Sequence, residues 1–152
     1  MSAPLGDVMP QDEDYDSGLA ARQSITGALA PRRKPESEVV SDAIALIKGK
    51  AYHGYARKVH GGAMSQTGEP DLDVCVRGRA IKLEAKAIGG RPTGPQMVSM
   101  RRWSRAGALV GWFRTNAHVV AILDHLDDPG FVPDLSMPGC SCPRHAQGGE
   151  SS

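Results

Sequence analysis

The stretch from Asp71 to Lys86 constrains the fold of this chain more than any other. Residues 72–76 and 80–86 alternate apolar and polar side chains, and only Arg77-Gly78-Arg79 separates them. Two such runs joined by a short glycine turn read as an antiparallel hairpin. In the second run Ile81, Leu83 and Ala85 share one face, and Lys82, Glu84 and Lys86 share the other, because side chains alternate across a strand. With Arg77-Gly78 as the loop, Val76 faces Arg79, and counting outward sets Asp71 opposite Glu84. A three-residue loop would shift that pairing by one position. In either register two carboxylates meet at the open end of the hairpin.

The neighbouring elements follow from periodicity. Val39, Val40, Ala43, Ile44 and Ile47 recur at helical spacing after Pro35, with Gly49 and Gly54 as stop signals. Glu36 and Glu38 sit in the first turn, where the helix dipole favours negative charge. Residues 55–60 read as a strand ended by Gly61 and Gly62. Residues 89–95 form a loop rich in glycine and proline, and residues 95–105 a helix with Met97, Met100 and Trp103 or Ser104 facing inward. Residues 108–113 and 119–123 read as two further strands. The expected order is α-β-β-β-α-β-β, an α/β domain over residues 35–125. Residues 1–34 read as a disordered acidic tail, and residues 126–152 as a flexible C-terminal tail rich in Pro, Gly and Ser.

A net charge of +1 conceals an uneven distribution. Residues 32–114 hold sixteen basic and seven acidic residues, a net of +9, whereas residues 1–31 and 115–152 each carry −4. A basic domain between acidic segments is the electrostatic footprint of a polyanion ligand such as nucleic acid. No apolar run approaches the roughly 20 residues of a membrane-spanning helix. The acidic N-terminus lacks the apolar core of a secretory signal. The expectation is a cytoplasmic protein without a membrane partner, whose cysteines Cys75, Cys140 and Cys142 stay reduced.

Two adjacent carboxylates repel unless a positive charge sits between them. A hard divalent cation, Mg²⁺ or Mn²⁺, fits Asp71 and Glu84, because such ions take oxygen ligands and retain waters. Lys86, two residues beyond Glu84 on the same face, suits a role in polarising water or offsetting developing charge. Carboxylates, metal and lysine together suit in-line attack of water on a phosphodiester.

The motifs Gly68-Glu69-Pro70-Asp71 and Leu83-Glu84-Ala85-Lys86 resemble the signature of PD-(D/E)xK nucleases. The wider pattern resembles the small VRR-NUC branch of phage and bacterial stand-alone endonucleases, some of which resolve Holliday junctions. It comprises a first-helix glutamate, here Glu38, followed by those two motifs. Pro92-Thr93-Gly94-Pro95-Gln96 and the stretch from Ala106 to Val110 complete it. The resemblance covers about residues 35–115 and implies a restriction-endonuclease-like core, a mixed sheet flanked by helices. It also implies that Asp71, Glu84, the Ala85 carbonyl and Glu38 hold the metal, that Lys86 positions the attacking water, and that Gln96 supports the site. Glu36 is the rival to Glu38, set aside because the apolar pattern begins directly after Glu38. A homodimer acting on branched DNA, in the host cytoplasm if the gene is phage-borne, completes what the resemblance implies.

Arg57 and Lys58 on the first strand, Arg91 in the loop, and Arg101, Arg102 and Arg105 on the second helix are candidates for phosphate contacts. Asp73 faces the Asp71 side by alternation, and solvent exposure is its plainer reading. Trp103, Trp112 and Cys75 read as packed residues. The C-terminal stretch holds Cys140, Cys142 and His145, two thiolates and an imidazole suited to zinc, although a structural zinc site has four ligands. A further ligand would come from another subunit, from His125 or from nowhere, and free thiols on a tail are the plainer reading. Two other functions fit the same charge pattern: a catalytically silent DNA-binding module, and an interaction protein that docks partners through its acidic tails.

Overall fold

The computed structural model describes residues 32–61 and 66–142. Contacts divide the chain into two units, Met1–Arg32 and Arg33–Ser152. The tail expected over residues 1–34 falls almost wholly outside the described residues.

The second unit runs α1 (Glu36–Lys48), β1 (Tyr55–Lys58), β2 (Leu72–Val76), β3 (Arg79–Ala85), α2 (Gly94–Arg105), β4 (Leu109–Phe113) and α3 (Asn116–Leu123). The four strands form one sheet in the order β1-β2-β3-β4. β1 pairs antiparallel with β2 and β2 antiparallel with β3, while β3 and β4 are parallel, joined through α2. This is an α/β fold with a mixed sheet flanked by helices.

The hairpin has the register read from the sequence. Val76 pairs with Arg79 and Leu72 with Leu83, so the loop is Arg77-Gly78. Both loop residues adopt left-handed backbone, with φ of 51° and 79°, as a two-residue turn matched to strand twist requires. Leu72, Val74, Val76, Ile81, Leu83 and Ala85 point into the main core. There they meet Val39, Val40, Ala43 and Ile47 of α1 and Val119, Ile122 and Leu123 of α3. A second core, formed by Met100, Ala108, Val110 and Leu135 with Met97 and Trp103 against it, lies under α2. All five residues of β4 are buried, as expected of a strand with a core on each side.

Three expectations need correction. Residues 119–123, expected to be a strand, belong to the helix α3. Thr115 caps that helix by accepting a hydrogen bond from the His118 N–H, and Val119, Ile122 and Leu123 are buried at helical spacing. The β-branched run favours a strand locally, but tertiary packing overrides so weak a preference. Residues 126–142 are also not a free tail. Leu126 and Leu135 are buried, the Trp112 indole N–H donates to the Leu135 carbonyl at 3.0 Å, and Gly139 N–H donates to the Trp112 carbonyl at 2.9 Å. Cys75, expected to be packed, is exposed on the opposite face of β2 from the core. Among the described residues no helix is long and apolar enough to cross a membrane.

Candidate active site

The polar face of the hairpin lies beneath α2. Asp73 and Lys82 are cross-strand partners and form an ion pair. Lys82 also sits over the Trp103 ring of α2, 4.1 Å from its centroid. Arg57 reaches the other side of Asp73 at 2.9 Å. Partial burial works against the Asp73 charge, but the bonds from Lys82 and Arg57 outweigh it and hold the carboxyl below its ordinary range. Asp73 therefore anchors β1 to the hairpin.

Two residues further, at the open end, Asp71 and Glu84 interlock. The Asp71 N–H donates to Glu84 Oε2 at 3.2 Å, and the Ala85 N–H donates to Asp71 Oδ2 at 3.0 Å. The Asp71 carbonyl accepts from the Val59 N–H at 2.7 Å, extending the β1–β2 ladder to the site. The Lys86 N–H donates to the Phe113 carbonyl at 2.9 Å, doing the same for β3 and β4. The carboxylates and the lysine are thus held on four paired strands.

Glu84 is completely buried. Its Oε1 contacts Lys86 Nζ at 2.5 Å and accepts from Gln96 Nε2 at 2.5 Å. Burial pushes the Glu84 carboxyl up to about 7; the bond from Lys86 opposes the rise and the Asp71 charge adds to it. Burial also works against the Lys86 charge, yet its bond to Glu84 and the charges of Glu84, Glu36 and Asp71 hold the ammonium above its ordinary range.

Gln96 is oriented by the start of α2. Thr93 and Gln96 form a capping box, in which Gln96 Oε1 accepts from the Thr93 N–H at 2.8 Å. That bond fixes the carbonyl end of the amide, so the Nε2 end faces Glu84. Gly68, the first residue of the Gly-Glu-Pro-Asp motif, packs against the same helix start. Its φ is +91°, and a Cβ there would lie 2.6 Å from the Pro95 carbonyl carbon and 2.9 Å from the Gln96 nitrogen. The glycine lets the Asp71 loop and the Gln96 helix touch.

The structure thus brings Asp71, Glu84, Ala85, Lys86 and Gln96 together. The first helix presents its two glutamates on different faces. Glu36 shares the stripe of Val40, Ala43 and Ile47, the buried face of α1, and its charge acts on Lys86. Glu38 shares a stripe with Ser41, Asp42 and Ala45, of which Ser41 and Ala45 are exposed. Glu36 is itself exposed and Glu38 half-buried.

A cavity of about 310 Å³ opens beside Asp71, lined by Val59, Gly61, Gln66, Thr67, Gly68 and Glu69. Lys58, Arg91, Arg101, Arg102 and Arg105 are exposed, as is Arg57 despite its tie to Asp73. Arg114, not singled out in the sequence, donates to the Gly90 carbonyl at 2.8 Å and ties β4 to the loop before α2. Of the residues expected at zinc, Cys140 and Cys142 are described and His145 lies outside the described residues.

The donor set suits a divalent cation. Two carboxylates converge at one strand end, and one of them is buried and disfavoured as an anion, so a hard cation there would restore its charge.

No protein-family model and no curated protein matches this chain. A solved structure described as a "VRR_NUC domain" is similar, with 26% identity and a TM-score of 0.51, over 59% of this chain and 95% of that one. This chain has a VRR-NUC-like nuclease fold.

Proposed function

We propose that this protein is a metal-dependent DNA endonuclease that hydrolyses phosphodiester bonds. The observation that carries the proposal is the buried Glu84 carboxylate, set between Asp71 and Lys86 and held by Gln96. A carboxylate of that burial is costly to keep unless it has work as an anion.

Asp71, Glu84 and the Ala85 carbonyl would hold Mg²⁺ or Mn²⁺, with Glu36 reaching in from α1. The bound cation would polarise the scissile phosphate and make water a better nucleophile at neutral pH. The chain's own residues do the rest. The Ala85 N–H fixes the Asp71 carboxylate. Gln96 holds Glu84 in one rotamer. Lys86, a cation at neutral pH, orients the attacking water and offsets charge building on the phosphate oxygens. Arg57, Lys58, Arg91, Arg101, Arg102 and Arg105 bind flanking phosphates.

Branched DNA is the proposed substrate, cut by a homodimer that presents two such sites to two strands, in phage or bacterial recombination or replication within the cytoplasm. The test is cleavage of labelled duplex, single-stranded and four-way-junction DNA with Mg²⁺, Mn²⁺ or EDTA, beside Asp71→Ala and Lys86→Ala. Cutting that needs metal and is lost in both variants is expected, by a factor on the order of 10²–10³ or more. Binding without cutting under either metal would leave a catalytically silent DNA-binding module.

A further inference from the structure

The C-terminal segment gathers a second cluster of donors, chemically unlike the first. We infer that His125, Cys140 and Cys142 supply three ligands of a zinc site that clamps residues 126–142 onto the domain, with water or one further donor in the fourth position. The inference is independent of the nuclease reading.

His125 follows α3, fifteen residues before Cys140. The ring is buried, and it stacks on Phe131 with centroids 3.6 Å apart and planes 5° from parallel. Its Nε2 lies 3.1 Å from Cys140 Sγ and 3.4 Å from Cys142 Sγ. One ligand atom from each of the three residues lies within 4.8 Å of the others.

These distances fit tetrahedral zinc. With Zn–S near 2.3 Å and Zn–N near 2.0 Å, a tetrahedral N···S edge is about 3.5 Å. Hydrogen bonding alone explains the arrangement poorly. A single ring nitrogen has one proton or one lone pair to offer, yet two sulfurs converge on it. A cation among the three satisfies all of them.

The surroundings match a thiolate site. The Cys142 N–H donates to Cys140 Sγ at 3.2 Å, a bond that supports negative charge on that sulfur. The Asp128 carboxylate lies 3.9 Å from His125 Nδ1, on the far side of the ring from the sulfurs. That distance is beyond a direct hydrogen bond, but the negative charge favours a proton on Nδ1, which leaves the Nε2 lone pair for a metal. The soft donors select zinc over the Mg²⁺ or Mn²⁺ proposed at Asp71 and Glu84.

The clamp has a purpose visible in the fold. The chain between His125 and Cys140 carries Leu135, which closes the second core beneath α2 and accepts the Trp112 indole hydrogen bond. Fastening both ends of that segment holds the lid over Met100 and Val110.

The full chain, expressed in medium with zinc and dialysed against metal-free buffer, is expected to retain one zinc per chain by elemental analysis. Replacing zinc with Co²⁺ is expected to give strong visible bands of tetrahedral cobalt and a near-ultraviolet thiolate band. Cys142→Ser and the double variant Cys140→Ser/Cys142→Ser should lose the bound zinc and the thiolate band. They should also expose residues 126–142 to protease at rates the wild type reaches only after chelation. Asp71→Ala keeps its zinc under this assignment, which separates the two metal sites. A wild-type chain without stoichiometric zinc, or cobalt spectra that survive loss of both cysteines, would overturn the assignment. The wild-type metal content and spectrum decide the matter even where a cysteine variant fails to fold.

Discussion

A carboxyl as enclosed as Glu84 prefers to be neutral, and its ionisation links the site to stability. In the folded, metal-free chain it titrates at about 7 against an ordinary 4.5, chiefly because it is buried. The folded state therefore binds this proton more tightly than the unfolded state. Its stabilising contribution is complete below about 4.5 and is lost as pH rises to about 7, a change on the order of 3 kcal/mol. Urea midpoints in EDTA should fall across that window, and Glu84→Gln should remove the fall. Mg²⁺ should restore more stability at neutral than at acidic pH, because it binds the ionised form. An unchanged pH slope in the variant would refute the linkage. A second prediction separates the two first-helix glutamates. Glu36→Gln should lower cleavage on the order of tenfold or more, whereas Glu38→Gln should leave it near wild type; the reverse order would return the role to Glu38. The meeting of Asp71, Glu84 and Lys86 was legible because strand alternation and a two-residue turn fix who faces whom. The choice between Glu36 and Glu38 is not legible in the same way, because they lie on different faces of α1 and each begins close to the apolar run. His125 beside Cys140 was only one of several open choices, since no local period relates residues that meet through tertiary packing.

Among the elements, the start of α2 decides whether the site is assembled. Gly68 touches Pro95 and Gln96 through backbone atoms, in a conformation that L side chains rarely adopt. Gly68→Ala should therefore cost about 2 kcal/mol or more, from left-handed strain and the forced separation of the two segments. Denaturant melts would show the loss. At temperatures where the variant stays folded, cleavage should still drop, because Asp71 and Gln96 no longer hold their spacing about Glu84. A variant that is destabilised yet fully active when folded would show that this spacing does not matter. Most elements were readable from periodicity to within a residue or two at their ends. The exception was α3. Val119, Val120, Ala121, Ile122 and Leu123 look like a strand because their side chains are apolar and mostly branched. What makes them helical is the Thr115 cap and the fit of Ile122 against Gly111 of β4, where a Cβ would come within 2.5 Å of the Ile122 side chain. Neither the partner strand nor its missing side chain can be inferred from the run itself.

For the molecule as a whole, the packed domain extends past residue 125, since Leu135 is buried and Gly139 bonds to the Trp112 carbonyl. Composition suggested a tail from residue 126, since Pro, Gly and Ser dominate there and regular periodicity stops. A segment without helix or strand can still be core when a few side chains are enclosed, and Leu126 and Leu135 are. Removing residues 126–142 would uncover Met100 and Val110 and leave the buried Trp112 indole without its carbonyl acceptor. The lost burial of Leu135 and the orphaned indole together should cost on the order of 3 kcal/mol or more. A fragment of residues 33–142 should therefore fold and cleave, while residues 33–125 should melt far lower and show red-shifted tryptophan fluorescence. Charge adds a second expectation for the longer fragment. It sheds residues 1–32, which carry a net −3, and residues 143–152, which carry a net of zero, and so should bind DNA at least as tightly as the full chain at low salt. Equal melting of the two fragments would return residues 126–142 to the status of a tail. Weaker DNA binding by residues 33–142 would assign the acidic N-terminal segment a positive part in recognition.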